Sequence, residues 1–200
     1  MSFRLPITLV LAASISTYAS DNDKPAFQVG PAASYKQKQT ISGVTVAAEA
    51  YDSQAQAGLA FGKLNPYEYG VLPVLLVIQN DSKQAIKLDR MLAQYITPSR
   101  EQIEATPASD VPYLKAPKNP STVLKSPIPG VGKPKKSPLL NPVIGERAFA
   151  ARMLPPGDSA SGFVYFQTGH RNGSKLYLTG LRDAATNAEL FYFEIPLESH

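Results

Sequence analysis

The chain has 200 residues, 20 Lys and Arg against 16 Asp and Glu, 18 prolines, and no cysteine or tryptophan. Without cysteine there is no disulfide framework, no thiolate metal site and no lipid anchor on an N-terminal cysteine. The length suits one domain with a real core, which must hold without covalent staples.

Arg4 is followed by an apolar stretch from Leu5 to Ala13 and then by small residues around Thr17-Tyr18-Ala19. This pattern predicts a secretory signal peptide over residues 1–19, with an exported chain from Ser20 to His200 that is periplasmic or extracellular. The rival, an uncleaved anchor, needs an apolar run of about 20 residues, longer than this one. No transmembrane span is expected after cleavage.

Ala26-Phe27-Gln28-Val29 and the stretch Thr40 to Ala47 read as early strands, the second with β-branched residues at alternating positions. Ser53 and Gln56 have capping-box spacing, and Gly62 stands where a helix would end, so a short helix is predicted over 53–61 as an insertion and not as a helical layer. Next comes Asn65-Pro66-Tyr67-Glu68-Tyr69-Gly70. Tyr67, Glu68 and Tyr69 form a candidate binding loop, since two phenols and a carboxylate can stack on a sugar or grip a peptide. The plainer alternative is that the tyrosines cover the edge of a sheet with their hydroxyls in water.

The run Val71 to Ile78 is apolar at consecutive positions, as in a strand covered on both faces, with Pro73 near its start. Asn80-Asp81-Ser82-Lys83 turns the chain, Ala85 to Leu88 returns it, and Met91 to Ile96 follows. Thr106 and Pro107 suit the cap and first position of one helical turn.

Between Val111 and Gly145 there is no acidic residue, but there are six lysines: Lys115, Lys118, Lys125, Lys133, Lys135 and Lys136. The same stretch is dense in proline, which removes backbone donors and defeats both helix and central strand. An extended basic loop is therefore expected over 112–142. It is either a solvated connection or a cationic arm for an anionic envelope component. Nucleic acid is an unlikely partner, because Tyr113 alone offers a stacking ring there.

Beyond the loop, Arg147 to Leu154 is ambiguous: its alanines favour helix, its place before Pro155-Pro156-Gly157 favours strand, and strand is preferred. Further strands are expected at Gly162 to Gln167, Lys175 to Leu181 and Glu189 to Ile195, with Phe191, Phe193 and Ile195 on one face of the last. Asp183 to Asn187 makes the intervening hairpin loop.

Catalytic signals are sparse. Gly157-Asp158-Ser159 is similar to the nucleophile motif of Gly-Asp-Ser hydrolases, but that family places it early, before a helix, with an Asp-x-x-His near the C-terminus, where this chain has Asp183 and Thr186. Only His170 and His200 could act as imidazole bases. Neither histidine has zinc-ligand spacing, the acidic runs lack a calcium-loop pattern, and no phosphate-cradling glycine loop appears, so no metal or other cofactor is expected.

Val77 to Ser82 followed by Ile86-Lys87-Leu88, and Leu154 to Ser159 followed by Gly162 to Phe166, resemble the strand pairs of secreted bacterial immunoglobulin-like domains. The chain also resembles a group of exported bacterial proteins that carries no assigned activity or ligand. The resemblance implies an all-β, immunoglobulin-like antiparallel β-sandwich with a short helical insertion and a long Pro/Lys-rich loop. The expected function is a non-catalytic interaction or structural module whose partner is an envelope protein or an anionic envelope component. The alternative is a hydrolase using Ser159 and His170.

Overall fold

The computed structural model describes residues 27–114 and 137–198. In chain order its elements are β1 (Lys38–Ile41), β2 (Val44–Ala50), α1 (Gln54–Phe61), β3 (Leu72–Asn80), β4 (Ile86–Lys87), β5 (Leu92–Ile96), β6 (Gln102–Glu104), α2 (Val143–Glu146), β7 (Met153–Leu154), β8 (Ser159–Phe166), β9 (Lys175–Thr179), β10 (Arg182–Asp183) and β11 (Phe193–Pro196), with 3-10 turns at Ala32–Ser34, Pro66–Tyr69 and Val111–Tyr113. The strands form three antiparallel sheets. One has the order β1-β2-β3-β8, a second β11-β9-β5-β6, and a small third sheet, β10-β4-β7, lies with them. The fold is an all-β sandwich.

Strand β3 is buried along almost its whole length. Successive residues of a strand point to opposite faces, so a strand that is apolar at every position needs two covers. Leu72, Val74, Leu76 and Ile78 point into the core between the two large sheets, where they meet Val44, Val46, Tyr95, Leu176, Leu178, Phe193 and Ile195. Leu75 and Val77 point the other way, into a second core built from Ala57, Ala60 and Phe61 of α1, Ile144 of α2, Val111, Leu139, and Phe163 and Tyr165 of β8. Each such fully buried side chain contributes about 1.5–3 kcal/mol. Helix α1 is capped as its spacing predicts: Ser53 Oγ accepts the Gln56 N–H at 3.3 Å and donates to Gln56 Oε1 at 2.9 Å. It is not a mere insertion, because with α2 and the 3-10 turns it supplies the cover for the first sheet's outer face.

Several expectations are corrected. Thr40 to Ala47 is not one strand but the bend of a hairpin, in which Ser42 and Gly43 take φ of 51° and 78° and Thr40 pairs with Thr45. Two successive positive φ values are the signature of the tight turns that match strand twist, and a Ser-Gly pair can supply them. Phe27 to Val29 forms no strand; Phe27 instead lays its ring 5.7 Å from that of Phe163. Of Arg147 to Leu154 only the last two residues are strand, and Ala148 makes a single parallel bridge to Phe163. Thr106 does not cap a helix but bridges to Tyr165, its N–H donating to the Tyr165 carbonyl at 2.7 Å. Phe193 and Ile195 are buried, whereas Phe191 lies ahead of β11 and is exposed. The described ends of the expected 112–142 loop are not extended and solvated: Pro112 and Tyr113 belong to a 3-10 turn anchored by buried Val111, and Leu139 is buried. The six lysines, residues 1–26 and His200 lie outside the described residues.

Two residues are set tightly by their surroundings, Asn80 at the end of β3 and Gly162 in the middle of β8. Asn80 is fully buried; its side-chain amide donates to the carbonyls of Gln84 and Leu154 at 2.8 and 3.0 Å, and its Oδ1 accepts from the Ser82 N–H and hydroxyl. Gly162 faces the backbone of Phe149 so closely that an added Cβ would stand 2.5 Å from Phe149 Cα. Asn80→Ala removes the buried donor to the Leu154 carbonyl and the acceptor for Ser82, and should lower unfolding free energy by roughly 1–3 kcal/mol. Gly162→Ala must displace a backbone segment bonded to β8, for roughly 2 kcal/mol or more. Urea unfolding checks both, and full stability in either variant would refute the role given to that residue.

Candidate functional site

The binding loop expected from sequence is a 3-10 turn. Asn65 Oδ1 accepts the Tyr67 N–H at 3.1 Å to start it, and Gly70, at φ 76°, ends it. Glu68 is exposed and accepts from the Asn65 amide at 3.3 Å. The rings of Tyr67 and Tyr69 pack against different cores, the first between the sheets and the second under the helices. Nor does the Tyr67 hydroxyl lie idle in water, since it accepts the backbone N–H of His170 at 3.1 Å.

That contact belongs to a clamp on the loop between β8 and β9. Tyr95, buried in β5, accepts the Arg171 N–H at 2.9 Å and lies 3.1 Å from His170 Nδ1. A phenol from a 3-10 turn and one from β5 thus hold the backbone of this loop, and Tyr95 also meets the imidazole, an arrangement invisible in sequence because the three residues are far apart along the chain. Ser159 is not part of it. It opens β8, and His170 lies beyond the other end, so the strand's rise alone separates them by about 23 Å. Gly157 and Asp158 act as a turn: the Gly157 N–H donates to the Asn80 carbonyl at 2.7 Å and the Asp158 carbonyl accepts the Asn80 N–H at 2.9 Å.

A small cleft of about 250 Å³ lies where Ser34 to Gln37 pass Ala48, Glu49 and Glu198. Lys36 bridges to Glu198 across it at 2.8 Å, and Gln56 donates to Glu49 at 3.4 Å. Burial, aided by the Glu49 charge, raises the Tyr51 hydroxyl well above the ordinary phenol value; burial also raises Tyr35 and Tyr165. Tyr165 donates to the Ile144 carbonyl at 2.7 Å and so holds α2 to β8. Among the described residues no group of three or more His, Asp or Glu could hold a metal ion, and no helix is long and apolar enough to cross a membrane.

The second sheet presents a different surface. Ala93, Tyr95, Leu176, Leu178, Phe193 and Ile195 face the core, so the alternate residues of β5, β9 and β11 face outward. Cross-strand register aligns Glu104, Gln94, Tyr177 and Glu194 in one row, with Leu92 beside Thr179 and Ile96 beside Lys175 in the rows that flank it. The Tyr192 ring, half exposed, lies 5.2 Å from that of Tyr177 at an interplanar angle of 31°. Lys175 is held by Glu194 at 2.6 Å. A shallow recess of about 140 Å³ adjoins the row between Met91, Leu92, Gln94 and Glu104. Tyr177 and Tyr192 were not singled out from sequence; the available signal was an aromatic on the polar phase of an alternating strand, Leu176-Tyr177-Leu178.

The chain matches no family model and no curated protein.

Tyr165→Phe leaves the buried Ile144 carbonyl without its donor and should cost about 1–3 kcal/mol by urea unfolding. Because Tyr51 and Tyr165 ionise at higher pH in the folded chain than in the unfolded one, the stability they confer is complete below pH ~10 and falls as pH rises above it. In a phenolate absorbance titration two tyrosines should then resist ionisation until the chain unfolds; full ionisation of the folded protein near pH ~10 would contradict this.

Proposed function

We propose that this protein is a non-catalytic interaction module, an immunoglobulin-like sandwich exported to the bacterial envelope or extracellular space. The observation that carries the reading is the asymmetry of cover: the central strand β3 of the first sheet is buried on both faces, while the outer face of the second sheet bears aromatic and polar side chains. The signal-peptide pattern of residues 1–19 supports export. The orders β2-β3-β8 and β11-β9-β5-β6 support the immunoglobulin-like assignment, since they follow the A-B-E and G-F-C-C′ arrangement of that sandwich. The two candidate catalytic residues stand apart: His170 is held by tyrosines in the loop after β8, and Ser159 opens β8 at its other end. No observation favours the hydrolase alternative.

The exported chain should co-sediment with cell-envelope fractions. The part of that binding due to the six lysines should weaken with salt, because exposed charges are screened within about 8 Å at 0.15 M ionic strength, and should vanish when they are changed to glutamine. Absence of all envelope binding, or a turnover activity abolished by Ser159→Ala or His170→Ala, would overturn the reading.

A further inference from the structure

We propose that Tyr177 and Tyr192 are a site of oxidative cross-linking, at which one-electron oxidation joins their rings and staples β11 to β9. The inference goes beyond the interaction-module reading and does not depend on it.

The register of the last two strands sets the geometry. Glu194 stands opposite Tyr177, so Tyr192, one residue ahead of β11, is the diagonal neighbour of Tyr177 on the outer face. Diagonal partners lie within reach of aromatic side chains. The rings accordingly meet, with centroids 5.2 Å apart and 31° between their planes. Among the described residues, the other ring contacts made by tyrosines are with phenylalanine or histidine. Access and redox order then select this pair. The Tyr192 ring is half exposed, whereas Tyr51, Tyr95 and Tyr165 are buried. The chain has no tryptophan or cysteine to take the oxidising equivalent first. An oxidant that reaches Tyr192 also reaches Tyr177, by electron transfer across the ring contact. Tyr113 is more exposed still, but its radical would find a tyrosine ring on a second molecule and not beside it.

Each phenol gives up one electron and one proton to become a phenoxyl radical, whose unpaired electron is shared with the ring carbons beside the oxygen-bearing carbon. The two radicals pair to form one carbon–carbon bond between those positions. Each bonded carbon then passes its proton, by way of water, to its own oxygen, which restores two phenols. The two electrons and two protons released reduce one hydrogen peroxide to two waters, when peroxide drives a one-electron oxidant such as a haem peroxidase. Strand β11 is an edge strand with a single ladder partner, β9. The new bond closes a loop of 192 − 177 = 15 residues, and like a disulfide it restricts the unfolded chain.

The test is treatment of the dilute exported chain with a haem peroxidase and an equimolar amount of hydrogen peroxide. Coupling is read by the blue emission of joined tyrosines, by intact mass and by peptide mapping. The expected product is a monomer lighter by two hydrogens, with the peptides bearing Tyr177 and Tyr192 joined, at a yield independent of protein concentration. Tyr177→Phe and Tyr192→Phe should each cut that yield by about tenfold or more, with the melting temperature of the untreated protein unchanged. Tyr113→Phe should leave the yield as it is. The coupled chain should melt roughly 5–10 °C above the untreated one. Mapping the unaltered chain decides the site even where a variant folds poorly. Covalent dimers alone, methionine sulfoxide alone, or an internal link between other tyrosines would overturn the assignment. A coupled chain that melts no higher than the untreated one would overturn the staple.

Discussion

The structure depends on the double burial of β3. A strand apolar on both faces cannot stop at a two-layer sandwich, because one row of its side chains would face water. The chain therefore recruits a second cover from segments that are individually too short to fold alone: the two turns of α1, the single turn of α2, and 3-10 turns bearing Val111 and Ala32. These pieces come from both sides of the segment 115–136, so the second core ties together parts of the chain that the sheets alone would leave unconnected.

Apolar layers of this kind need polar closure where the strands end. Asn80 terminates β3 with its side chain saturated by two carbonyls and a serine, and so it fixes the turn after β3 and the turn before β8 at once. Tyr165 does the same on the helical side, where its hydroxyl reaches the Ile144 carbonyl. At the end of the inter-sheet core, Tyr95 and Tyr67 turn their hydroxyls toward the backbone of the β8–β9 loop. In each case a side chain whose apolar or buried part fills the core also satisfies backbone groups that no ladder reaches.

Much of this was legible in the sequence, and the limits have physical causes. The β3 run, the capping box at Ser53 and the alternation of β9 are local patterns, and they appear where their residues placed them. The Ser42-Gly43 turn was missed because β-branched residues on either side mask it as one strand. The role of α1 was missed because its cover is needed only once β3 is placed under it, which is tertiary information. The candidate binding residues Tyr67 and Tyr69 were chosen for composition, yet their rings serve the cores. Tyr177 and Tyr192 meet only across β9 and β11, a pairing that spacing along the chain does not encode.

The margins of the first sheet bear on how such a chain behaves among copies of itself. On the outer side of β8, Thr106 and Ala148 each contribute one backbone bridge, and at the opposite margin the Gln39 side chain takes the Glu194 N–H at 2.7 Å. An exposed strand edge is a template for another chain's strand, and a protein without cysteine has no covalent means of closing it. These brief contacts occupy the template. An incoming strand would have to displace bonds already made, so resistance to polymerisation rests on a few irregular residues outside the regular strands.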